Sequence, residues 1–376
     1  MKLLFITRQN FLAEEKSGGN RLSKNLFQGF LINQKIEVSL CILDTTKSSY
    51  STLKYPFHLS VIPIDNNEIK RNISYIFGHA GYNRREICML KDVLEKSDAD
   101  VFFFDGTWFG ENVKFINKKR KIIVFCHNVE KAFALDRIKK TKKITAIPRF
   151  FSDWKNEKII IGKATGIICL NERDNNLLKR NYNRLADIQL PIMVEDDYKN
   201  DLVDNTLMKT ILFVGSYFYA NIEGIRWLCK KVMPYIDCKL EIIGKGMEML
   251  REELESEKVK VIGTVDSVRE YYLNSDLVVL PIFSGGGMKV KTAEAMMYGK
   301  RIAATEEALE GYEIPDHCDI KCCKTANDFI LTINSIMQEK NFYKYSKANR
   351  ELYVKNYSTN AIQRKLNEFV EEIVNE

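Results

Sequence analysis

The stretch Asp276-Leu277-Val278-Val279-Leu280-Pro281-Ile282-Phe283-Ser284-Gly285-Gly286-Gly287-Met288-Lys289-Val290-Lys291 decides the fold. Its first third is a short, β-branched apolar run, the pattern of a strand buried on both faces. Three consecutive glycines follow, and a helix opens near Met288 or Lys289. Glycine lets the backbone turn sharply and come close to a ligand. A helix start offers unpaired N–H groups and partial positive charge, which suit a phosphate. Lys289 and Lys291 place two cations where the helix dipole disfavours them by a few tenths of a kcal/mol. A bound anion removes that conflict, so the conflict itself points to a ligand.

Outward from this stretch the same alternation repeats. Strands are expected at 210–214, 239–243, 258–262, 276–281 and 301–304, with helices at 224–232, 247–255, 267–274 and 289–298. The first half offers strands at 2–7, 37–43, 101–104, 122–126 and 166–170, with amphipathic stretches such as 21–31 and 86–96 between them. Strands alternating with helices predict parallel sheets covered on both faces. Between the halves, residues 191–209 are polar and acid-rich, with Glu195-Asp196-Asp197 and no period. The expected fold is α/β, with two facing Rossmann-like domains and an interdomain cleft. Its parts are residues 1–190, a linker at 191–209 and a second domain at 210–357. A last helix at 358–376, capped by Ser358 or Thr359, is expected to pack back on the first domain. Open parallel sheets bind ligands at their strand carboxyl ends.

Composition narrows the classes. The 376 residues are 45% hydrophobic and 28% charged, which is ordinary for a globular protein. No segment reaches the roughly 18 apolar residues of a membrane span. The opening Met1–Arg8 run is too short for a signal peptide, so a cytoplasmic location is expected. Nine scattered cysteines without a C-x-x-C pair read as reduced core thiols. Four dispersed histidines offer no metal-ligand spacing. The net charge of +7 carries no nucleic-acid signature with it.

The run Gly285–Gly287, Lys289, Lys291, Glu294-Ala295-Met296, Gly299-Lys300, Arg301–Ala304 and Glu310-Gly311 resembles the donor-site signature of glycosyltransferase family 4. Those are retaining enzymes of the GT-B fold. The segment Phe213-Val214-Gly215-Ser216, with Asn221, Gly224, Arg226-Trp227 and Pro234, is similar to one branch of it. So are Ile242–Gly246 and Val261–Asp266. The resemblance implies a nucleotide-sugar donor. It implies that Glu294 binds the ribose, while Lys289 and the backbone of Gly286, Gly287 and Met288 hold the diphosphate. Gly215 and Ser216, with Gly244, would edge the donor pocket, and Gly263, Thr264 and Val265 would frame the base. Lys291 would add charge beside the phosphates.

Two departures stand out. The family often carries a glutamate eight positions before the second one, and here that position is Gly286. Many members place Arg and Lys after the glycine of the first donor-domain strand. Here that stretch is Ser216-Tyr217-Phe218-Tyr219-Ala220-Asn221, so Lys289 and Lys291 are expected to take over the charge.

In the first half, Ser17-Gly18-Gly19-Asn20 precedes a helix expected near Arg21. The family resemblance places this glycine loop by the donor phosphate and acceptor. His127-Asn128-Val129-Glu130 follows a strand end, and the comparable family histidine contacts the reacting sugar. His127 is therefore expected to be catalytic together with Lys289 and Glu294. Glu130 suits three roles: orienting His127, touching the acceptor, or capping the next helix. Asp105-Gly106-Thr107-Trp108 follows another strand end and is expected to line the acceptor side with Gly18, Gly19, Asn128 and Glu130. Asn171-Glu172-Arg173-Asp174 reads as a helix cap.

Asp98-Ala99-Asp100 precedes a strand instead of ending one, which argues against a metal site. No cofactor or essential metal is expected, and protein cations would stabilise the leaving diphosphate instead. The stretch from Arg137 to Arg149 holds six basic residues and no acidic ones, and Phe150, Phe151 and Trp154 follow. That composition suits either an anionic membrane surface or a solvated loop. The acceptor implied is a glycan or lipid-linked hydroxyl, in bacterial surface polysaccharide or glycolipid assembly. A peripheral position on the inner membrane face would fit. Transfer with retention, by front-face attack, is expected, because no carboxylate pair suits double displacement. Two other readings remain open: a nucleotide-sugar epimerase of similar fold, and a non-catalytic scaffold subunit.

Overall fold

The computed structural model describes residues 1–12, 18–44, 54–142, 146–199, 209–339 and 343–375. The chain forms two units: Met1–Pro191 with Ile362–Glu376, and Ile192–Ala361. Residues 200–208, within the expected linker, and Ser17 lie outside the described residues.

The first unit is built on seven parallel strands in the order β3-β2-β1-β4-β5-β6-β7. They are β1 (Lys2–Thr7), β2 (Glu37–Asp44), β3 (Leu59–Pro63), β4 (Val101–Asp105), β5 (Lys121–Cys126), β6 (Gly166–Cys169) and β7 (Ile188–Gln189). The helices between them are α1 (Gly18–Ile32), α2 (Glu68–Ile76), α3 (Arg84–Lys96), α4 (Glu130–Thr141), α5 (Ala146–Lys163) and α6 (Glu172–Tyr182). The central strands are buried on both faces, as their unbroken apolar runs require. On one face Phe5 stacks on Phe103 at 5.1 Å, with Phe27 and Phe30 packed edge-on. The other face buries Ile6, Phe102, Phe104, Val124 and Ile167. Register sets Thr7 beside Asp105. Asp105 in turn pairs with Phe125, so β1, β4 and β5 end side by side.

The second unit has six parallel strands in the order β10-β9-β8-β11-β12-β13. They are β8 (Thr210–Val214), β9 (Lys239–Ile243), β10 (Val259–Gly263), β11 (Leu277–Leu280), β12 (Ile302–Ala304) and β13 (Ile320–Cys322). Its helices are α7 (Tyr219–Lys231), α8 (Arg251–Leu254), α9 (Arg269–Asn274), α10 (Val290–Met297), α11 (Ala326–Met337) and α12 (Lys347–Asn356). The final helix α13 (Thr359–Asn375) rejoins the first unit from Ile362 onward. There it buries Leu366, Phe369 and Val370. Lys35 of the same unit bridges to Glu371 at 3.1 Å.

Several elements differ from the sequence expectation. Strands β3, β7 and β13 were not foreseen, because they are short edge or near-edge segments with exposed residues and little apolar signal. Helix α1 starts at Gly18 instead of Arg21, so the glycine pair is its first turn and not a preceding loop. The expected helix at 247–255 splits into a 3-10 turn, Met247–Leu250, and the single α turn of α8. Of the basic stretch from Arg137, residues to Thr141 belong to α4 and those from Ala146 to α5, and residues 143–145 lie outside the described residues. Among the described residues no helix is long and apolar enough to cross a membrane.

Candidate active site

In the second unit β11 delivers the chain to the glycine turn. Gly285 and Gly287 take φ of +126° and +57°, conformations open to glycine and strained for other residues. Ser284 Oγ donates to Glu223 Oε2 at 3.1 Å and anchors the turn. Lys289 is the extended residue immediately before α10, with its carbonyl held by Tyr312 Oη at 2.8 Å. Its ammonium folds back to Glu307 at 2.7 Å and to the Gly287 carbonyl at 3.0 Å. The cation that would oppose the helix dipole therefore has a carboxylate beside it.

Lys291 is placed differently. Its ammonium donates to the amide oxygen of Asn221 and lies 5.0 Å from the Phe213 ring centre. Burial pulls its pKa down to about 7; the Glu294 charge opposes the fall and Lys289 adds to it. It reaches the carboxyl end of β8. A Cβ added to Gly215 would sit 2.9 Å from the Lys291 Nζ and 2.9 Å from the Asn221 Nδ2. Position 215 is thus glycine because a cation occupies the space. Ser216, the next residue, is exposed, and its carbonyl accepts from Asn221 Nδ2 at 2.8 Å.

Glu294 is buried one turn further along α10, and Tyr272 Oη donates to its Oε2 at 3.4 Å. The Met288 side chain is buried, its sulfur facing the Ile192 amide at 3.5 Å, which leaves its backbone to the turn. At the ends of β9 and β10, the Gly244 amide donates to the Gly263 carbonyl at 2.8 Å. Glu248 holds Thr264, accepting its backbone N–H at 3.1 Å and its hydroxyl at 3.2 Å. Val265 beside it is half-buried. Gly215, Gly244, Gly263–Val265 and the 285–291 turn thus lie at the carboxyl ends of β8, β9, β10 and β11. Gly286 carries no side chain into the turn.

In the first unit the strand ends form a hydrogen-bonded row. His127 Nε2 pairs with Asp105 Oδ1 at 2.5 Å, and Thr7 Oγ1 donates to Asp105 Oδ2 at 2.6 Å. Asp105 is fully buried, and the Phe125 ring meets the imidazole edge-on at 5.0 Å. The Gln9 amide donates to Thr7 Oγ1 at 2.9 Å. Gly19 faces the Gln9 side chain closely enough that a Cβ would be 3.3 Å from its Nε2. Gly18, Gly19, Asp105 and His127 therefore converge on the ends of β1, β4 and β5, with Asn128 half-buried after His127.

Glu130 does not orient His127; Asp105 does. Glu130 opens α4, and its backbone N–H is capped at 2.7 Å by Glu157 of α5. Glu157 also accepts the Lys131 amide at 3.0 Å and the Tyr182 hydroxyl. Burial and the charges of Asp153 and Glu157 push the Glu130 carboxyl up to about 8. Asn171 caps α6 as expected, accepting the Asp174 amide at 2.8 Å. Asp98 and Asp100 sit at the opposite, amino-terminal edge of the first sheet, bound to Lys2. No group of three or more His, Cys, Asp or Glu among the described residues is arranged to hold a metal ion.

Residues 208–338 match the family model described as glycosyl transferases group 1. The matched stretch lies within the second unit. The whole chain has the GT-B fold. A sucrose-phosphate synthase from Thermosynechococcus elongatus superposes with a TM-score of 0.79 at 15% identity, covering 99% of this chain and 98% of the other. A Rickettsia africae glycosyltransferase superposes at 0.67, with 14% identity over 99% and 98% of the two chains. HepE of Anabaena, solved with UDP and glucose, superposes at 0.69, with 12% identity over 99% and 100%. No curated protein matches the chain by sequence.

Three residues at these strand ends and turns, Thr7, Arg8 and Glu307, were not singled out in the sequence, and Asn221 was named there without its bond to Lys291. Thr7 and Arg8 close the first strand, and the polar residues ending Phe5-Ile6-Thr7-Arg8 were the available signal. Arg8 lies between the Tyr82 and Trp108 rings at 4.9 and 5.2 Å. Asn221 and Glu307 hold the two lysines, and only the folded chain brings them there.

Proposed function

We propose that this glycosyltransferase moves a sugar from a nucleoside-diphosphate sugar to an acceptor hydroxyl, with retention at the anomeric carbon. The observation that carries the reading is Lys291: a half-buried lysine nitrogen at a strand carboxyl end, beside a glycine turn, whose hydrogen-bond partner is an amide oxygen instead of a carboxylate. Glu294 acts on it only through space, so a diphosphate would supply the directly bonded anion that the lysine lacks. The glycine turn would give backbone N–H groups to the same phosphates, and Lys289 could exchange Glu307 for them. Glu294 would receive the ribose diol. Gly263, Thr264 and Val265 would frame the base.

In the first unit, His127 held by Asp105 would contact the transferred sugar, with Gly18, Gly19, Asn128 and Glu130 on the acceptor side. The departing diphosphate would take the acceptor proton in a front-face displacement. Lys291 and the helix start would stabilise the charge growing on its bridging oxygen, a role that asks for no metal. HepE was solved with UDP, which makes uridine nucleotides the first donors to test. The acceptor is read as a glycan or lipid-linked hydroxyl in surface polysaccharide or glycolipid assembly, with the protein working at the inner face of the membrane. Thermal shift against a panel of nucleoside diphosphates tests the donor site. A specific ligand raises the melting temperature by mass action; a flat panel would remove the basis of the reading.

A further inference from the structure

Helix α2 is turned inside out. Its apolar residues Ile69, Ile73 and Ile76, with Phe77 just after, recur at i, i+4, i+7 and i+8 and share one face. In a globular protein that face normally meets the core. Here it meets solvent: the four side chains are 71%, 47%, 66% and 67% exposed, while Ser74 and Tyr75 are buried. The chain after α2 is pinned to α5, so the face cannot rotate inward. Ser152 Oγ accepts the Ala80 amide at 2.8 Å, and Asn156 Nδ2 donates to the Gly78 carbonyl at 3.0 Å.

Helix α5, which packs against α2, also exposes apolar residues in its first turns. Ile147 and Phe151 are exposed. Phe151 packs edge-on with Phe150 at 5.1 Å and lies 6.4 Å from Trp154. Lys131 of α4 lies over that indole at 4.7 Å. Along the chain, the stretch from Arg137 to Arg149 holds six basic residues and no acidic one, and Lys139, Lys140 and Lys142 stand at the end of α4.

We propose that the outward face of α2 and the start of α5 dock the protein on an anionic phospholipid surface. Isoleucine and phenylalanine side chains would enter the boundary between headgroups and acyl chains, and the cations of α4 and α5 would meet the phosphates. A second copy of the chain is a poorer occupant, because pairing the face with itself would bring the same cations together. An exposed apolar patch of this kind marks an interaction site, and the charge beside it selects the partner. Donor binding is a separate property of the second unit, so vesicle binding and nucleotide binding can fail independently.

The test is co-sedimentation of the full chain with phosphatidylcholine vesicles, with and without phosphatidylglycerol, at low and high salt. Ile73→Gln with Phe77→Gln should weaken binding to anionic vesicles at least tenfold. Lys139→Gln with Lys142→Gln should weaken it about fivefold per cation at low salt, with the difference fading at high salt. Both pairs should keep the wild-type melting temperature and nucleotide affinity. Met249→Gln with Leu331→Gln, exposed apolar residues of the second unit, should bind vesicles like the wild type. Equal binding to neutral and anionic vesicles would overturn the proposal, as would unimpaired binding by the Ile73/Phe77 variant. So would a wild-type dimer that this variant alone converts to a monomer, which would assign the face to a second copy.

Discussion

Replacing Lys291 by methionine separates a structural lysine from a ligand-binding one. The ammonium is held with a folded pKa of about 7, against about 10.4 for an unfolded lysine. At neutral pH and up to the unfolded value, the unfolded chain binds more protons than the folded one. This group therefore makes stability rise with pH between about 7 and about 10.4, and its cost is full below the folded value. The ceiling on that cost at pH 7 is roughly 4 kcal/mol; after relaxation and loss of the Asn221 bond, a net gain of about 1–2 kcal/mol is expected for Lys291→Met. The variant should melt higher than the wild type at pH 7, and the difference should shrink toward pH 10. A charge-assisted bond to phosphate is worth about 1.5–3 kcal/mol, so affinity for the nucleoside diphosphate should fall about 10- to 150-fold. Melting scans from pH 6 to 9 and calorimetric titration with the nucleotide measure both. At pH 8, titration in buffers of different ionisation enthalpy should show proton uptake by the wild type and none through this group in the variant. A Lys291→Met protein that melts lower and binds nucleotide normally would refute the reasoning.

Three further outcomes follow from the same geometry. Gly215→Ala should push Lys291 and Asn221 aside, lowering nucleotide affinity at least tenfold and costing about 1–3 kcal/mol of stability by chemical denaturation. Asp105→Asn should leave nucleotide affinity within about twofold while kcat falls roughly 10- to 100-fold, since Asp105 positions His127. Glu130→Gln should flatten the pH dependence of stability: a carboxyl raised to about 8 makes the wild type lose stability as pH climbs from about 4.3 through 8, and the amide does not. Melting temperatures at pH 5 and pH 8.5 check that sign.

The second unit was the more legible in the sequence, for a physical reason. Its site is local: strand, glycine turn and helix start follow one another from Leu277 to Met297, so the pattern can be read along the chain. The Asp105–His127–Thr7 row is not local. It depends on β1, β4 and β5 ending together, and the strand order that achieves this is invisible in residue spacing. Hence Asp105 and His127 were each named without their bond, and Glu130 was offered a role that Asp105 fills. Strand β13 escaped because two of its three residues are exposed. Residue spacing shows two cations at the α10 start, but holds no sign that Glu307 would pair with Lys289 and leave Lys291 with an amide.

The central claim is tested most directly by following nucleotide-sugar consumption across a donor panel, with and without a saccharide acceptor, for wild type and Glu294→Ala. The account predicts one donor consumed only when acceptor is present, an α-linked product from an α-linked donor, and a loss of about 100-fold or more in the variant. Donor turnover at the same rate without acceptor, or a β-linked product, would contradict it.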